Sequence, residues 1–71
     1  MNVYVVTREY LYSDNIDSDF VIANTELEAV SEIMDEDVNE VKRHCETIND
    51  YLCVWEQVGI IISVELEDYN I

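Results

Sequence analysis

The sequence predicts an α+β fold: an antiparallel sheet in β-β-α-β-β order, with one long acidic helix on one face. Three observations carry that expectation. Val and Tyr crowd the opening residues, apolar residues recur every three or four positions from Leu27 to Ile48, and an alternating stretch from Ile60 to Leu66 closes the chain. Branched and aromatic side chains suit a half-buried pleated surface. Spacings near 3.6 mark an amphipathic helix, and a period of two marks a strand.

The first strand is expected over Val3–Tyr12. A cluster from Ser13 to Asp19 follows, "SDNIDSD", whose Asp and Asn side chains can bond back to local backbone and turn the chain. Phe20 to Ala23 then returns as a second, antiparallel strand. At Thr25 the period changes. "TELE" has the capping-box form, Thr25 accepting from the amide of Glu28 while Glu28 reaches back. Leu27, Val30, Met34, Val38, Val41, Cys45 and Ile48 fall within one arc of a helix spanning about residues 25 to 47, roughly 33 Å at 1.5 Å per residue. A break near Asp35–Asp37 into two helices is the alternative. Lys42 and Arg43 lie toward the C-terminal half, where cations suit the helix dipole. Tyr51–Glu56 and Ile60–Leu66 read as a closing hairpin about Gly59, the only glycine. If Val3, Val5, Leu52, Val54 and the last strand's Ile60, Ile62, Val64 and Leu66 face the helix, the opposite sheet face shows Tyr4, Val6, Tyr51, Cys53, Trp55 and Ile61. An apolar patch of that kind predicts self-association.

Composition narrows the function. The 71 residues make a single domain, 1–71, with 49% hydrophobic residues, too many for a disordered acidic tail. Asp and Glu number 17 against 3 Lys and Arg, a formal net charge of −14. That balance opposes binding to nucleic acid or an anionic membrane, both of which call for cations facing phosphates. It favours a basic partner. The longest apolar run, Val58 to Ile62, is far short of the roughly 18 residues a membrane span requires. "MNVYVV" has no basic region ahead of an apolar stretch, so no secretion signal is expected. Cys45 and Cys53 form no CxxC pair and read as reduced thiols, which predicts a cytoplasmic protein.

Catalytic constellations do not emerge. Asp35, Asp37, Asn39 and Glu46 occupy positions 1, 3, 5 and 12 of a calcium-loop pattern, but Glu40 stands where the loop requires glycine. His44 and Cys45 are adjacent on a helix and so point about 100° apart, poorly placed to share a proton. No phosphate-cradling glycine loop, nucleophile elbow or His-rich metal spacing is present. No catalytic residue, cofactor or metal is expected.

The charge itself is the remaining feature. Glu28, Glu32, Glu36 and Glu40 form an i, i+4 row, with about 5–6 Å between neighbours. Glu65 and Glu67 lie about 6.7 Å apart along the last strand. Asp17 and Asp19 add charge at the turn. Rows of fixed negative charge at such spacing resemble the phosphate arrays that basic proteins are built to meet. A small domain stays soluble with a net charge of about 2–8, so −14 exceeds that need. These eight carboxylates are the candidate partner-binding residues.

A short, very acidic chain that opens "VYVVTREYLYSD" and closes "VELEDY" resembles the small host-takeover proteins of phages. Among them it is most similar to the Bacillus-phage DNA mimics that inhibit the histone-like nucleoid protein HU. The resemblance covers the whole chain in size and charge and rests on no diagnostic motif. It implies a homodimer that occupies the DNA-binding surface of HU in the host cytoplasm, nucleoid-associated through its target. The same character fits anti-restriction and anti-CRISPR mimics. A different class, an adaptor docking by its apolar sheet face on a host or defence enzyme or RNA polymerase, is the rival expectation.

Overall fold

The computed structural model describes residues 1–69, which form β1 (Asn2–Tyr10), β2 (Asn15–Ala23), α1 (Glu26–Ile33), α2 (Val38–His44), α3 (Ile48–Gln57) and β3 (Ile60–Tyr69). The α+β class holds, but the β-β-α-β-β order does not. The described residues contain three strands and three helices, and the sheet runs β2-β1-β3 with both outer strands antiparallel to β1.

The opening hairpin is longer and its turn tighter than the turn cluster suggests. Arg8 sits opposite Asp17, and Thr7 opposite Ser18 with their hydroxyl oxygens 2.9 Å apart. These cross-strand polar pairs draw residues 15–19 into the ladder. The reversal is left to residues 11–14, where Asp14 takes φ 54°, a left-handed conformation that Asp tolerates better than most residues.

The capping box at Thr25 is present: Thr25 Oγ1 accepts from the Glu28 amide at 3.1 Å. Glu28 reaches back one residue further than expected, accepting from the amide of Asn24 at 3.0 Å. The single helix over 25–47 is instead two. Asp35 adopts φ 58°, its N–H donating to the Glu32 carbonyl at 3.1 Å, while Glu36 N–H donates to the Ser31 carbonyl at 2.8 Å. This is a Schellman closure, which satisfies the last carbonyls of α1 and turns the chain away. Asp37 then caps α2 by accepting from the Asn39 amide at 2.8 Å. An apolar period of three and four survives across the break because α2 packs against α1 and turns Val41 into the same core.

The predicted strand Tyr51–Glu56 is helical, part of α3. Thr47 Oγ1 accepts from the Asp50 amide at 3.1 Å, a second cap of the kind seen at Thr25. Gly59, expected in a hairpin turn, ends α3 instead. Its φ of 91° lets its N–H donate to the Glu56 carbonyl at 3.0 Å, and its own carbonyl accepts from Leu11 at 2.9 Å. One glycine thereby stops the helix and ties it to the β1–β2 turn.

All three helices lie on one face of the sheet. Tyr4 and Val6 are 5% and 0% exposed, and Val30 of α1 is 0% exposed above them. Val21, Ala23 and Ile62 complete the sheet side of the core; Ala29, Val41, Cys45 and Tyr51 complete the helix side. The face assignment is therefore the reverse of the expected one for β1 but holds for β3, where Ile62 is buried and Ile60 and Val64 pack against the core, with Leu66 alone left half exposed. Val3 and Val5 turn to the open face, opposite Ile22 and Phe20, while Tyr4 and Val6 go inside. The apolar second face exists, but with different residues: Tyr51 is in the core and Cys53 and Trp55 lie on α3. No described helix is long and apolar enough to cross a membrane.

Candidate functional site

The expected carboxylate row does not form one continuous line. Glu28 and Glu32 lie on α1, Glu36 in the link to α2, and Glu40 on α2 beyond a change of direction. Most of the eight candidates also have an internal partner. Glu28 accepts from Asn24, Glu36 accepts from the Tyr51 hydroxyl, and Glu40 pairs with Arg43 at 2.8 Å. Asp17 and Asp19 flank Arg8, at 2.8 and 3.6 Å. Arg8 lies on the helix-covered side with Met34 Sδ at 4.0 Å, its guanidinium 5.9 Å from the centre of the Tyr10 ring. Two carboxylates against one guanidinium leave a net negative end to this cluster.

Glu32, Glu65 and Glu67 are exposed. The regular spacing expected for the last two is broken. Leu66 pairs with Tyr4 and Asp68 with Val3, so Glu67 is the extra residue of a β-bulge. Such bulges twist an edge strand, and with the charges of Glu65 and Asp68 this one discourages edge-to-edge pairing.

The structure assembles an acidic site that the spacing argument did not foresee. A cleft of about 560 Å³ opens between α2 and α3. Asp35, Glu36, Asp37 and Glu40 line one part of it, and His44 stands beside them. Val41, Cys45, Tyr51, Val54 and Trp55 supply the apolar part. Only Glu36 and Glu40 were singled out from the sequence as partner-binding. Asp35 and Asp37 were visible as a failed calcium loop, yet the features that place them here are the left-handed φ of Asp35 and the cap at Asp37. Tyr51, Val54 and Trp55 join because α3 is a helix: residues three and four apart lie together on one helix face, whereas in a strand Tyr51 and Trp55 would stand about 13 Å apart and Val54 would point to the opposite side.

Tyr51 is the pivot of the cleft. It is 3% exposed, and its ring meets Trp55 edge-to-face with centroids 6.4 Å apart. Burial first, then the hydrogen bond to Glu36, pushes the phenol well above its ordinary pKa. The nearby indole N–H of Trp55 acts in the opposite direction; it is shielded from solvent and makes no hydrogen bond of normal geometry. Tyr51 therefore remains a neutral donor that holds the Glu36 carboxylate in place.

Among the described residues no three His, Cys, Asp or Glu side chains converge on a common metal position, and Cys45 and Cys53 are both free thiols. No family model, curated protein or solved structure matches this chain. The site is thus defined by its own geometry: an acidic rim beside an aromatic and aliphatic wall on the helical side of a two-layer domain.

Proposed function

We propose that this chain is a non-enzymatic DNA mimic that occupies the DNA-binding surface of a basic protein and blocks its access to DNA. The observation that carries the reading is charge density. A net charge of −14 over a longest dimension of 36 Å is one charge per about 2.6 Å. Duplex DNA carries one per roughly 1.7 Å of axis. The two densities are of the same order, and the protein's charge is held on a folded scaffold. That net charge already subtracts the chain's three Lys and Arg, of which Arg8 and Arg43 pair with carboxylates of the same chain.

HU is the first target to test, in keeping with the resemblance to phage host-takeover proteins. A mobility-shift titration of HU on duplex DNA checks the proposal. The chain is expected to release the DNA at stoichiometric ratios, with potency falling steeply as salt rises from about 50 to 300 mM, since exposed charges are screened over a Debye length near 10 Å. Release by catalytic amounts would replace the mimic with an enzyme, and undisturbed HU–DNA complexes would remove HU as the target.

A second reading has an observation of its own. The open sheet face carries Phe20 and Ile22 at 73% and 54% exposure. That face suits either a second copy, giving the expected homodimer, or an adaptor's docking contact. Docking of this apolar kind would be insensitive to salt, so the same titration separates it from mimicry.

A further inference from the structure

We propose that the cleft between α2 and α3 receives an arginine side chain from the basic partner. This deepens the mimic reading, on which it rests, by placing one specific contact within an otherwise distributed charge field. At about 560 Å³ the cleft is within the 300–1,000 Å³ range of sites that bury a ligand. Its two halves match the two parts of arginine. Val54 and Trp55, backed by the buried Val41 and Tyr51, offer aliphatic and aromatic surface to the stem and to the flat face of the guanidinium, while Asp35, Asp37 and Glu40 offer acceptors to its edge.

Arginine fits this wall better than lysine. A guanidinium is planar, weakly hydrated and able to stack, whereas an ammonium is a compact charge that resists desolvation against aromatic surface. The cleft is also prepared for its occupant. The Glu36 carboxylate is already held by Tyr51 and that of Asp37 by its cap, while the helix closure fixes the backbone of Asp35, so part of the ordering cost is met before binding. Glu40 is held only by an exposed pair with Arg43, of the kind that contributes little to stability. An incoming guanidinium can take over that carboxylate at small cost.

Trp55 is the only tryptophan in the chain, so its fluorescence reports on this cleft directly. The probe is a blocked Gly-Arg-Gly-Arg-Gly peptide, compared with its lysine and citrulline counterparts. Citrulline keeps the shape of arginine and removes the charge. The expected result is a saturable change with the arginine peptide that is at least threefold weaker with lysine and absent with citrulline. Replacing Asp35→Asn, Asp37→Asn and Glu40→Gln together is expected to weaken binding by roughly tenfold or more, about 1.4 kcal/mol. Asn keeps both the cap and the left-handed position. A second variant, Val54→Lys, changes an exposed wall residue, leaves the carboxylates untouched and is expected to block the cleft with a cation of its own. A control removing three charges elsewhere, Glu9→Gln, Asp14→Asn and Glu26→Gln, is expected to stay within twofold.

If the control weakens binding as much as the cleft variant, or lysine or citrulline binds as well as arginine, the arginine site is overturned. If HU is displaced from DNA equally by the wild type and by both cleft variants, the site again fails while mimicry stands. If neither the peptide nor HU binds the wild type, the arginine site is overturned and HU is removed as the target.

Discussion

The two faces of the sheet are built from similar residues and have opposite fates. On one, Tyr4 and Val6 lie under the helices, closed from water. On the other, Val3 and Val5 sit beside Ile22 and Phe20, apolar residues that no element of the described chain covers. β1 is apolar at each of its positions 3 to 6, so it does not state which side is to be buried. The decision comes from the connection. β2 and β3 both run antiparallel to β1 and therefore parallel to each other, so the three helices form a crossover between them. Crossovers of this type have a strongly preferred hand, which confines their helices to one face. What this teaches is that apolar alternation marks a strand, whereas coverage has to be supplied by something packed against it.

The sharpest test of the comparison is a matched pair of truncations. Val6→Ala removes two methylene-sized groups from a fully closed site and is expected to cost about 2–3 kcal/mol in urea denaturation. Val5→Ala, one residue along on the open face, is expected to cost under about 1 kcal/mol. Equal losses in the dissociated monomer would mean that the open face is as closed as the helical one and would dissolve the contrast.

Tyr51→Phe comes next, because it touches the covered side through one hydrogen bond. Leaving Glu36 without its donor is expected to cost about 1–2 kcal/mol near neutral pH. The phenol is raised in the folded state relative to about 10 unfolded, so its stabilising contribution is full below pH 10 and is lost as pH climbs toward the folded value. Wild-type stability should therefore fall more steeply than that of Tyr51→Phe between about pH 10 and 11.5. Parallel alkaline slopes would show that ionisation of Tyr51 is not coupled to folding.

The smallest effect on stability belongs to Phe20→Ser combined with Ile22→Ser. These side chains already face solvent, so the monomer should change by no more than about 0.5 kcal/mol. Association is where the change should appear. The wild type is expected to sediment at twice the 8.3 kDa chain mass at micromolar concentration, and the variant at the single mass. A wild type that sediments only as a monomer would remove the homodimer from the proposal.

Much of the fold was legible because its signals are local. The Val- and Tyr-rich opening, the "TELE" cap and the alternation of the last strand each depend on neighbours a few residues away, and each produced the expected element. The segment Tyr51–Glu56 was not legible in the same way. Its run of Tyr, Cys, Val and Trp has strand propensity, but Thr47 and Asp50 repeat the spacing of Thr25 and Glu28, and Ile48, Tyr51, Leu52 and Trp55 repeat the helical stripe. A cap at one end and Gly59 at the other outweigh a weak preference in between. For the acidic site, two of the four rim carboxylates were picked out. Asp35 and Asp37 reach the rim only through the break between α1 and α2, which the continuous apolar period masks.

Propensity, capping and period act over a few residues, which is why an α+β domain of extreme negative charge, an opening hairpin, a capped first helix and an alternating final strand can be read along the chain. Which side of β1 is buried, where the helical stretch breaks, and the meeting of Asp35, Asp37 and Glu40 with Tyr51 and Trp55 across one cleft emerge only in three dimensions. Those outcomes depend on packing between segments far apart in the chain, and on a crossover whose geometry no local window contains.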